Sequence, residues 1–164
     1  MIKDNFESLS ANKTDIVKRL AFDDKLAKIM INGNPNYKDN TVTQIQNAEL
    51  INTQIFPRQK IPNTTTDAKS YITMRFRYKA SKDTSIFKAS YITFYIFCHE
   101  SISMTAYMTL RYDEMLSCVD RLINDTRGYG WLGKMSLDSM EDVIMDTNGS
   151  YLGVSVTYKN TEFQ

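Results

Sequence analysis

The clearest pattern in the chain is the alternation of its last fifteen residues, "SYLGVSVTYKNTEFQ", Ser150 to Gln164. Leu152, Val154, Val156 and Tyr158 fall on one side of an extended backbone, and Gly153, Ser155, Thr157 and Lys159 on the other. The same period of two runs through "SYITMRFRYK", where Ile72, Met74, Phe76 and Tyr78 alternate with Thr73, Arg75, Arg77 and Lys79. "ASYITFYIFCH" is β-branched or aromatic on both faces, which suits a strand buried in the middle of a sheet. The polar link "ASKDTS" between these two runs predicts a long antiparallel hairpin.

Helical spacing dominates elsewhere. Ile16, Val17 and Leu20 form one stripe, and Leu26, Ile29 and Met30 a second, with Asp23 or Asp24 placed to cap it. "NGNPN" stops that helix, and "VTQIQNAELI" predicts another short one. "IFPRQKIPNTTT", with two prolines, reads as an extended connector, and "SISMTAYMTL" as a further extended stretch. Tyr112, Met115, Leu116, Val119, Leu122 and Ile123 then keep i, i+3, i+4 and i+7 spacing, with Asp113 and Glu114 at the end where the helix dipole favours acids. "TRGYGWLG" ends this main helix, and a weak strand near Lys134–Leu137, an acidic loop and the closing strand follow.

The expected fold is therefore α+β: an antiparallel sheet with a long hairpin, covered by helices on one face. The expected core between sheet and main helix is Ile72, Met74, Phe76, Ile92, Phe94, Ile96, Leu116, Val119, Leu122, Val154 and Val156. A chain of 164 residues suits a single domain, residues 1–164, burying roughly 70% of its unfolded surface. Within it the helical N-terminal segment occupies about 12–50 and the sheet-and-helix core about 55–164.

Composition excludes more than it proposes. Net charge is +1, no apolar run approaches a membrane span, and the first residues lack the apolar stretch of a secretory signal, so a soluble, cytoplasmically made protein is expected. Cys98 and Cys118 are too few for a disulfide framework or a zinc site and sit in apolar patterns as buried thiols. The single histidine, His99, alternates away from Cys98 and Glu100, so no metal site or Cys–His pair forms on a regular strand. There is no phosphate-binding glycine loop and no nucleophile elbow, and "DSMEDVIMD" does not fit a calcium loop. No catalytic residues, metal ligands or cofactor site are expected, and the chain reads as no enzyme.

Charge distribution says more than net charge. Pro57–Tyr91 carries eight Lys/Arg against two acids, a balance of +6, whereas Tyr112–Asp146 carries eight acids against three bases, −5. Such a chain either solvates each face as it lies or meets copies of itself through surfaces of opposite sign. The Thr73–Arg75–Arg77–Lys79 face also admits a small nucleic-acid-binding module, although the neighbouring aromatics Phe76 and Tyr78 alternate away from it.

"DKLAKIM" followed by "NPN", then "IFPRQKIP", "ITFYIFCHE" and "GSYLGVSVTYKNTEFQ", together with the order of elements, resemble the neck proteins of tailed bacteriophages, the tail-terminator and head–tail joining family. The resemblance spans roughly residues 15–164, and "TEFQ" departs slightly from the usual ending. It implies a structural virion protein: a homo-oligomeric ring, commonly a hexamer, at the head–tail junction. Its partners would be the neighbouring connector and tail-tube proteins, with weak non-specific contact to genome DNA in the lumen. A head-completion or stopper ring is the alternative within the same class. On this reading Arg75, Arg77 and Lys79 face either a neighbouring subunit or DNA, and Phe163 anchors into a neighbouring subunit unless the closing strand merely completes its own core.

Overall fold

The computed structural model describes residues 2–60, 68–80, 87–126, 134–146 and 148–160. Helices α1 (Ile2–Ala21) and α2 (Asp24–Met30), a 3-10 turn (Tyr37–Asp39) and α3 (Gln44–Leu50) lead into strand β1 (Ile55–Phe56). The hairpin strands β2 (Ser70–Ala80) and β3 (Phe87–His99) follow, then helix α4 (Arg111–Ile123), β4 (Met135–Ile144) and β5 (Tyr151–Asn160).

Local chemistry sets the helix boundaries. The Asp23 carboxylate accepts from the Leu26 amide at 3.0 Å and starts α2, and its other oxygen accepts from Arg121 of α4 at 2.7 Å. One cap thus also ties two helices together. Thr43 and Gln46 form a reciprocal capping box at the start of α3, satisfying donors that the first turn leaves open. Asn32 and Gly33 take positive φ values of 62° and 57° and end α2 where the "NGNPN" punctuation predicts.

The sheet order is β1-β2-β3-β5-β4. The four long strands are antiparallel, as expected, while β1 runs parallel to β2 through Ile72 and Thr73, so the whole sheet is mixed. On one face the cross-strand rows Ile72–Ile96–Val154 and Met74–Phe94–Val156 are fully buried beneath the helices. Ile16, Leu20, Leu26, Ile29, Met115, Val119 and Ile123 meet them from the helical side in a single core. Of the expected core, Phe76, Leu116 and Leu122 are partly buried at its margin, and the rest are inside.

Two expectations change. "DSMEDVIMD" is no loop: most of it lies in β4, which pairs with β5 along its length, because a bulge between Leu137 and Ser139 shifts the alternation that a regular strand would show. "SISMTAYMTL" is a 3-10 turn and loop with one isolated bridge, Met104 to Leu110, and not a strand. The closing strand lies inside the sheet, between β3 and β4. Gly153 belongs to that interior position, because a Cβ there would lie 2.0 Å from the Ile96 carbonyl oxygen and 2.6 Å from Phe97. Only a residue without a side chain permits that approach.

Candidate interaction surfaces

The face of the sheet away from the core carries the predicted basic residues. Arg75, Arg77 and Lys79 are all exposed there, one on every second position of β2. Register places Thr93 beside Arg75 and Tyr91 beside Arg77, and continues to Thr157 and Lys159 of β5. The Arg77 guanidinium lies 4.4 Å from the centre of the Tyr91 ring, and the Lys79 and Lys159 ammonium groups lie 5.7 and 5.8 Å from it. Three cations therefore share one aromatic ring, an arrangement that the ring quadrupole favours and mutual repulsion opposes. Thr93 and Thr157 hydroxyls are 2.9 Å apart across the next rung.

This geometry corrects the argument that aromatics point away from the basic row. Phe76 and Tyr78 do turn to the helical side, but β3 supplies Tyr91 and Tyr95 to the open face. Strand pairing, which no single-strand pattern records, brought them together. At the far end of the same face Tyr71 stacks on Phe97 at 5.5 Å, and His99 meets Tyr151 edge-on at 5.3 Å. His99 is half-buried, and its Nδ1 is 2.8 Å from the Ser101 hydroxyl, while Cys98 lies on the opposite face.

The second surface was not legible beforehand. On β4, Leu137, Met140, Asp142 and Ile144 stand opposite Tyr158, Val156, Val154 and Leu152, and so on the side that the helices cover elsewhere. Helix α4 packs over β3 and β5. Beyond that cover Leu137, Met140 and Ile144 are 51%, 58% and 69% exposed. Asp138, Glu141 and Asp142 on the same strand are exposed too. This strand is the sheet's outer edge, apolar on one face and acidic along its length.

Three acids on or just beyond α4 have partners. Glu114 pairs with Lys25 at 3.1 Å, Asp120 accepts from the Tyr158 hydroxyl at 2.8 Å, and Asp125 pairs with Lys134 at 3.0 Å. Burial, and then that carboxylate neighbour, push the Tyr158 hydroxyl pKa upward, so it remains a donor. Asp113 is exposed on the helix, and burial followed by Asp142 and Glu114 raises its pKa.

Burial pushes the Cys98 thiol up to about 12 and raises Cys118 as well, which keeps both protonated and unreactive. The open cleft of about 480 Å³ beside α4 is lined by Met108, Thr109, Leu110, Asp113, Glu114 and Ser117, with no histidine or cysteine. Among the described residues no cluster of His, Cys, Asp or Glu could hold a metal ion, and no helix is long and apolar enough to cross a membrane. Phe163, the expected anchor, lies outside the described residues.

No curated protein and no solved structure matches the chain. A family match extends over residues 23–160, from the cap of α2 to the last residue of β5, and contains both surfaces just described. The chain therefore belongs to the YomW family, which suggests a phage-associated protein without specifying a neck protein.

Proposed function

We propose that the protein is a non-enzymatic virion subunit that forms a ring at the phage head–tail junction, as a tail terminator or neck protein, with genome DNA passing through the lumen. The observation that carries this reading is the β4 edge. A strand that leaves three large apolar side chains exposed on the face that helices elsewhere cover belongs to a chain that completes its packing against another molecule. The family's phage association and the resemblance of the sequence to neck proteins support the same class. A head-completion or stopper ring would use the same features and differs in its neighbours.

Mass measurement of the purified protein, free and in assembled particles, tests the reading. A discrete oligomer is expected, present in particles and depleted as salt rises, because exposed charges are screened within about 8 Å at physiological ionic strength. A strict monomer that is absent from particles would overturn it.

A second reading has its own observation. Tyr91 and Tyr95 beside Arg75, Arg77, Lys79 and Lys159 form the kind of cationic, aromatic sheet face on which single strands stack. On the ring reading, duplex DNA must slide, and binding no tighter than roughly 10⁻⁴–10⁻⁶ M at physiological salt is expected. Nanomolar affinity for single strands, lost in Tyr91→Ala, would replace the ring with a nucleic-acid module.

A further inference from the structure

The two ends of the sheet differ in a complementary way. At one end β1 pairs only with Ile72 and Thr73 of β2, and among the described residues no strand lies beside Arg75, Phe76 and Arg77 on that side. Their outward edge carries bases on the open face, Arg75 and Arg77, and an aromatic, Phe76, on the helical face. At the other end, among the described residues, β4 pairs only with β5. Its outward edge carries an acid, Glu141, on the open face, and on the helical face the apolar Leu137, Met140 and Ile144 with Asp142 between the last two.

We infer that β4 of one copy docks on the exposed edge of β2 in a second copy, continuing the sheet from subunit to subunit. This rests on the ring reading and names the surface that would build it. The match is one of opposite charge on the open side and of apolar surface on the helical side, where Asp142 lies beyond Met140. On the open side Glu141 would come beside Arg75 and Arg77. On the helical side Met140 and its apolar neighbours would come beside Phe76. Directions agree as well: successive neighbours β2, β3, β5 and β4 are antiparallel, so β4 meets an equally oriented copy of β2 as an antiparallel partner. Because one edge meets a different edge, the contact is heterologous, and repetition closes into a ring or runs on as a filament. Backbone pairing supplies affinity in such strand additions, and the alternate side chains supply selectivity.

The test uses two variants of the full chain, each with one edge disabled. The first is Met140→Asp with Ile144→Asp on β4. The second is Arg75→Glu with Arg77→Glu on β2. All four positions are exposed, and circular dichroism and thermal unfolding are expected to match the wild type at a concentration where it is monomeric. In sedimentation velocity each variant alone is expected to run as a monomer, while their equimolar mixture forms a dimer, since one intact β4 edge meets one intact β2 edge. Combining Glu141→Lys with Arg75→Glu in one chain is expected to restore the oligomer that either change alone weakens at least tenfold. If the wild type assembles and both edge variants assemble equally well, this surface is wrong and the ring reading stands. If the β2 variant assembles alone and the β4 variant does not, β4 pairs with β4 or with another protein, and the head-to-tail contact is overturned. A wild type that never assembles, alone or in particles, overturns both.

Discussion

Replacing Arg111 by Met is expected to cost at least about 3 kcal/mol of folding stability, at about 1–3 kcal/mol for each buried acceptor left without a donor. Arg111 is fully buried at the first position of α4, and its guanidinium donates to four carbonyl oxygens. Nε donates to Ile102 at 2.7 Å, Nη1 to Ile29 at 2.6 Å, and Nη2 to Gly33 and Asn34 at 3.0 and 2.9 Å. These acceptors belong to the end of α2, to the positive-φ turn after it, and to the loop that enters α4. One planar fork therefore closes a helix end and joins two segments far apart in sequence, residues 29–34 and 102–111. A cation at the end of a helix also meets the negative end of its dipole. Burial lowers the guanidinium pKa, and nearby Cys98 and Tyr37 oppose that shift. Arg111→Lys is expected to recover only part of the loss, because an ammonium cannot reach four acceptors in the geometry of a fork. Urea unfolding at one fixed protein concentration measures both variants, since assembly would otherwise add to apparent stability. A Met variant within about 1 kcal/mol of wild type would mean that water satisfies the carbonyls as well as the guanidinium does.

Phe94→Ala is expected to cost about 3–5 kcal/mol, the range for truncating a buried aromatic. Phe94 has no exposed surface in the middle of β3, stands between Met74 and Val156, and meets Tyr158 edge-on at 5.9 Å. Strands on both flanks and helices above leave little room for the site to collapse, so the lost contacts and the cavity add. The denaturation midpoint should fall with an unchanged slope against urea. A loss below about 1 kcal/mol would mean that residue 94 is not packed in the core.

The sequence by itself determined the elements whose side chains repeat with one regular period. The alternation of Ile72, Met74 and Phe76 and of Val154 and Val156, and the helical spacing of Met115, Val119 and Ile123, were enough to place β2, β5 and α4 and their buried faces. Burial on one face forces such periodicity, so the period reports the face directly. It also placed Arg75, Arg77 and Lys79 in one exposed row. It misread β4, because the bulge after Leu137 breaks the period and because an edge strand without helical cover lacks the polar–apolar contrast of a half-buried one. Which strands neighbour one another was decided only in three dimensions. That pairing set Tyr91 beside Arg77, placed the closing strand between β3 and β4, and left β4 as an outer edge. Arg111 likewise reads as an ordinary charged residue at a helix start until the fold brings Ile29, Gly33, Asn34 and Ile102 around it. Both depend on contacts between residues distant in the chain, and a local pattern of polar and apolar positions holds no information about which distant segment comes to lie alongside.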